Sequence, residues 1–75
     1  MRARVYITLK QGVLDPQGKA VQRSLASLGF QEVQDVRIGK YVELQLADSS
    51  GSRVKEMCEK LLANTVIESY RYEIE

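Results

Sequence analysis

Both ends of the chain alternate apolar and polar residues with a period of two, and a strand at each end constrains the fold more than any other feature. Over residues 3–9, Ala3, Val5, Ile7 and Leu9 point one way while Arg4, Tyr6 and Thr8 point the other. Over residues 66–74, Tyr70, Tyr72 and Ile74 stand opposite Arg71 and Glu73. Such alternation in β-branched and aromatic residues is the pattern of a strand with one buried face.

Between these strands the period changes to that of a helix twice. Asp15 is placed as an N-cap with Pro16 at the first helical position. Val21, Leu25 and Leu28 follow at helical spacing, and Gly29 stands where a left-handed stop is expected. Gly18 in the first turn costs about 1 kcal/mol against alanine, which suggests a close backbone approach. The second helix carries Val54, Met57, Cys58, Leu61 and Leu62 at i, i+3, i+4, i+7 and i+8. It follows a cap-rich loop, Asp48-Ser49-Ser50-Gly51-Ser52, and ends at Asn64-Thr65.

The middle reads as a hairpin. Val36 and Ile38 share parity with Val42, Leu44 and Leu46, so a three-residue loop, Gly39-Lys40-Tyr41, sets Ile38 opposite Val42 and keeps one apolar face. The expected fold is therefore α+β and ferredoxin-like, β-α-β-β-α-β, a single domain over residues 1–75. Right-handed crossovers arrange it as a four-stranded antiparallel sheet of order 4-1-3-2 with both helices on one face.

Composition narrows the chemistry. No histidine is present, which removes the usual general base and the commonest metal ligand. The single cysteine, Cys58, permits neither an internal disulfide nor a thiolate zinc site, and its place on an apolar stripe suits a small buried hydrophobe. Lys+Arg 11 against Asp+Glu 10 leaves a net charge of +1, too little for affinity driven by counterion release, so nucleic acid is not expected as a partner. No phosphate-cradling glycine motif occurs. No apolar run approaches the roughly 18–20 residues that span a bilayer, and the opening MRARVYITLK lacks the apolar block of a secretory signal. The expectation is a chain suited to a reducing cytoplasm, with no membrane association, no metal site and no independent enzyme activity.

The topology gathers Gln11–Asp15, Gly39–Tyr41 and Asn64–Val66 at one end of the sheet. An apolar Val13-Leu14 pair beside Lys10, Arg37 and Lys40 reads as a surface that docks another protein. Of the two, Leu14 is expected to staple the first helix to the core and Val13 to be the exposed member. The uncovered sheet face displays Arg4, Tyr6, Thr8, Tyr41, Glu43, Gln45, Arg71 and Glu73. Its paired tyrosines resemble an RNA-binding platform, but the interleaved glutamates favour protein contact. Self-association is expected through this face at Tyr6 and Tyr41, or through the Val33–Ile38 edge at Val33 and Val36.

The run Lys10-Gln11-Gly12-Val13-Leu14-Asp15-Pro16-Gln17-Gly18, followed by Leu28-Gly29-Phe30, Val36-Arg37-Ile38-Gly39-Lys40 and Cys58-Glu59-Lys60-Leu61-Leu62-Ala63-Asn64, resembles the PurS family across almost the whole chain. Thr65 departs from it, where the family often has proline. PurS is the small subunit of phosphoribosylformylglycinamidine (FGAM) synthase, which forms FGAM from formylglycinamide ribonucleotide, glutamine and ATP in the fourth step of purine synthesis. The resemblance implies a bridging subunit without catalytic residues, a homodimer or homotetramer that joins the glutaminase subunit PurQ to the synthetase subunit PurL. ATP and Mg then belong to the synthetase. Docking falls on Gly12, Val13, Leu14, Asp15, Pro16, Arg37, Gly39 and Lys40. A ligand-binding regulatory module of ACT-like type is the alternative reading of the same topology.

Overall fold

The structure, a computed structural model, describes residues 1–47 and 51–75. Strand β1 (Arg2–Leu9) is followed by helix α1 (Pro16–Ser27), strand β2 (Gly39–Gln45), helix α2 (Gly51–Met57) with a π-helical turn over Cys58–Leu62, and strand β3 (Glu68–Ile74). Of the expected cap-rich loop, Asp48–Ser50 lie outside the described residues.

The sheet has three antiparallel strands in the order β2-β1-β3. Among the described residues three of the four expected strands form, and the four-stranded order 4-1-3-2 does not. Registers such as Tyr6↔Tyr41 and Tyr6↔Arg71 put the tyrosine face outward. The opposite face supplies Ala3, Val5 and Ile7 to a core completed by Val54, Cys58 and Ala63. Val42, Leu44, Leu62, Tyr70 and Tyr72 pack around it.

The expected strand at 33–38 and its hairpin do not form. Gly39, Lys40 and Tyr41, assigned to the turn, are instead the first residues of β2, paired with Thr8, Ile7 and Tyr6. With those residues committed to β1, none remain to reverse the chain, so Val33–Ile38 enters β2 directly from outside the sheet. Nor do both helices lie on one face. α1 stands away from the sheet as part of an arm, and the molecule measures 48 × 24 × 14 Å. Its radius of gyration is 15.5 Å, against about 11 Å for a compact chain of this length.

Local signals hold. Asp15 caps α1 by accepting a hydrogen bond from the Gly18 N–H at 2.9 Å, and Pro16 opens the helix. The helix closes in a Schellman arrangement: Phe30 N–H donates to the Leu25 carbonyl at 2.9 Å and Gly29 N–H to that of Ala26 at 3.1 Å. Gly29 has φ +101°, a conformation glycine adopts without Cβ strain. Gly18 is required by contact, since a Cβ there would collide with the Val36 carbonyl oxygen.

The second helix departs from its expected stripe. In the π turn the Ala63 N–H donates to the Cys58 carbonyl at 2.9 Å, five residues back. The widened turn shifts the phase, burying Cys58 and Ala63 together and leaving Leu61 82% exposed.

Tyr70 links this helix to the sheet, its hydroxyl donating to Glu59 Oε2 at 2.9 Å. Burial and then the bond to Glu59 push its phenol up to about 12. A raised value means the protonated phenol stabilises the fold fully below the ordinary tyrosine range, and that contribution is lost as pH climbs from about 10 through about 12. Ultraviolet titration of phenolate should therefore show a late tyrosine that Glu59→Gln moves toward the ordinary value. A late phenol unmoved by that substitution, or all phenols titrating together near 10, would contradict this assignment.

Candidate functional site

The end of the sheet is assembled by three segments that meet there. The first leaves β1 through a turn in which Val13 N–H donates to the Lys10 carbonyl at 3.1 Å, with Gly12 at φ +85°. The second runs through Arg37 into β2. The third is the Asn64–Glu68 turn, tied to the first where Lys10 N–H donates to the Ile67 carbonyl at 2.8 Å. Leu9, Asp15, Pro16, Ile38, Lys40 and Glu68 line a cleft of about 220 Å³ among them.

Two carboxylates organise this end. Asp15 is buried, and both its oxygens are used: Oδ1 accepts from Gly18 N–H and Oδ2 from Ile38 N–H at 2.9 Å. The Ile38 and Gly18 amides, with Arg37 nearby, hold this carboxyl below the usual aspartate range. Glu68 accepts from Asn64 N–H at 2.7 Å and meets Lys40 Nζ at 3.4 Å. Those contacts likewise draw its carboxyl downward, the Asn64 amide first.

Gly12, Val13, Leu14, Asp15, Pro16, Arg37, Gly39 and Lys40 are thus brought together as expected, with different parts to play. Leu14 is 74% exposed, so it does not staple α1 to the core, while Val13 is half-buried. Arg37 does not point its guanidinium at solvent alone; it donates to the carbonyls of Leu9 at 2.6 Å and Lys10 at 3.1 Å. Val66, 80% exposed, and Ile67, 40% exposed, are further apolar residues on the third segment. Alternation had placed that pair in a strand; two adjacent apolar residues breaking the period were the available sign of a turn.

The residues expected to self-associate fall on two surfaces. Tyr6 and Tyr41 lie on the uncovered sheet face with ring centroids 5.3 Å apart, and Arg71 stacks 4.0 Å over Tyr6. Val33 and Val36 belong to the arm, Val36 beside the Gly12–Asp15 loop. Cys58 is fully buried, and burial pushes its thiol up. Among the described residues no three His, Cys, Asp or Glu side chains converge as metal ligands. No helix is long and apolar enough to cross a membrane among those residues.

Fold and site together define a small α+β protein whose distinctive features are exposed surfaces: an apolar end rimmed by cations, a tyrosine-bearing sheet face and an arm held off the core. Known proteins share this form. The family model PurS, phosphoribosylformylglycinamidine (FGAM) synthase, matches residues 2–75. The Bacillus subtilis PurS subunit of that synthase is 62% identical over 77 residues, covering 99% of this chain and 92% of the relative. The C2 crystal form of B. subtilis PurS superposes with a TM-score of 0.89, covering 99% and 96% of the two chains. A chain of the PurLQS structure from Thermotoga maritima, 28% identical, superposes with a TM-score of 0.78 over 96% and 93%. This chain belongs to the PurS family, subunits of the FGAM synthase complex of purine biosynthesis.

Proposed function

We propose that this chain is the non-catalytic bridging subunit of its synthase, docking the glutaminase subunit PurQ to the synthetase subunit PurL in the cytoplasm. The assembled enzyme then forms FGAM from formylglycinamide ribonucleotide, glutamine and ATP. ATP and Mg are held by the synthetase, and this subunit, a single domain, carries no cofactor. The observation that carries the reading is the exposed apolar end, Leu14 with Val66 and Ile67, rimmed by Lys10 and Lys40. Apolar residues at the centre of such a patch supply affinity, and surrounding charges govern orientation and association rate. The PurLQS structure of the T. maritima relative supports the same reading.

Self-association follows from two deficits in one chain. The outer edge of β2 lacks the neighbour that 33–38 was expected to supply, and α1 exposes Val21 and Leu28. Beside β2, Leu44, Met57, Leu61 and Leu62 line an apolar cleft of about 390 Å³. A second copy that lends its arm covers both deficits and receives the same in return, an arrangement satisfied by two-fold symmetry. The product is a homodimer, or a homotetramer where the tyrosine faces also meet.

Reconstitution with the glutaminase and synthetase subunits tests the bridging role. At limiting subunit concentration, Leu14→Ala should weaken apparent affinity roughly tenfold, the equivalent of about 1.4 kcal/mol. Its thermal midpoint should stay with the parent's, because the side chain is exposed. Full glutamine-dependent activity from the variant at limiting concentration refutes the site, and activity of the two partners without this subunit refutes the bridge.

A further inference from the structure

Two chain crossings join the α1 arm to the sheet, residues 10–15 on the way out and residues 36–39 on the way back. Each crossing carries one charged side chain bonded to the backbone of the other. Asp15, on the outgoing crossing, accepts from Ile38 N–H on the returning one at 2.9 Å. Arg37, on the returning crossing, donates to the carbonyl of Lys10 on the outgoing one and to that of Leu9, the last residue of β1. The two side chains themselves approach to 3.9 Å between Arg37 Nε and Asp15 Oδ2.

Capping explains only half of Asp15. An N-cap needs one acceptor oxygen, and Oδ1 supplies it to Gly18. Asp15 is only 7% exposed, and its Oδ2 is engaged by Ile38, 23 residues along the chain. Beyond this joint, Gln22 Nε2 donates to the Gln34 carbonyl at 2.9 Å and Lys19 meets Asp35 at 3.7 Å. Those contacts bind α1 to its own return segment, making the arm one body. They do nothing to fix its angle to the sheet.

We propose that Asp15 and Arg37 form a reciprocal clasp that sets the direction in which the α1 arm leaves the sheet. Breaking it frees the angle while leaving both bodies folded. Its consequence for assembly rests on the reading that the arm meets a second copy; the clasp itself lies within one chain.

Asp15→Asn is the incisive variant, because asparagine still caps α1 through its carbonyl oxygen but turns an N–H donor toward the Ile38 N–H. Arg37→Gln opens the other half without touching the helix cap. Spin labels at Arg23→Cys on α1 and Lys55→Cys on α2 report the angle by electron–electron distance measurement, in the full chain diluted with unlabelled protein. Cys58 is fully buried and stays unlabelled. The parent should give one narrow distance, and each variant a distribution roughly twofold broader or displaced, with helical circular dichroism retained. Parental distributions in both variants overturn the clasp. Should Asp15→Asn lose helix, Arg37→Gln decides alone. Broadened distances with unchanged solution mass and unchanged reconstitution leave the clasp standing and refute the arm as the partner surface.

Discussion

Leu28→Glu is expected to reduce the protein in solution to a single chain of 8.5 kDa, where the parent is expected to sediment as a dimer or larger. Within one chain Leu28 is 73% exposed at the end of α1, and a surface change there is worth within about 0.5 kcal/mol. The effect arises between copies. If the arm lies on a second chain, each two-fold contact buries Leu28 twice. Each new carboxylate then loses its water without a partner, at a cost of several kcal/mol. Analytical ultracentrifugation across a range of concentrations checks the mass, and circular dichroism checks that α1 persists. A variant that keeps the parental mass would show that this end of the arm lies outside the self-association surface.

The largest expected loss of stability comes from Ile7→Ala. Ile7 is 1% exposed at the centre of the middle strand, opposite Lys40 on one side and Tyr70 on the other. Truncating a buried isoleucine to alanine costs about 2–5 kcal/mol, because transferred methyls are lost and the cavity closes only in part. A chain of 75 residues commands a total of about 4–11 kcal/mol, so the variant should lose about a fifth of its margin or more. The cost is felt acutely here because α1 contributes nothing to this core within one chain. Ile7→Val should cost only about 0.5–1.5 kcal/mol. Urea denaturation at matched protein concentration measures both, since association adds stability by mass action. An alanine variant within about 1 kcal/mol of the parent would place the core elsewhere.

Where the sequence could be read, the controlling interactions are short-range. Period-two alternation located β1 and the faces of all three strands, so Tyr6, Tyr41 and Arg71 were grouped on the open face before any register was known. Asp15 and Gly29 mark the ends of α1 because capping involves only a few neighbouring residues. Cys58 and Val54 were legible as core from helical spacing. The gathering of Gly12–Pro16 with Arg37, Gly39 and Lys40 followed from strand order.

The failures share a different cause. Gly39-Lys40-Tyr41 suits a hairpin turn and the start of a strand equally well, and pairing with Thr8, Ile7 and Tyr6 settled the competition. Leu61 belongs to the apolar stripe at 3.6 residues per turn and leaves it when the helix widens after Met57. Leu14 has the composition of a staple and the position of a surface residue.

Strand β1, the buried face of the sheet, the caps of α1 and the absence of histidine are legible from the sequence alone, because they depend on residue type and on neighbours a few positions away. Long-range pairing sets the three strands of the sheet among the described residues, the stand-off of α1 as an arm, and the bonds of Asp15 and Arg37 across its base. Those outcomes turn on which of several compatible backbone groups reach one another first in space, and a periodicity carries no record of that choice.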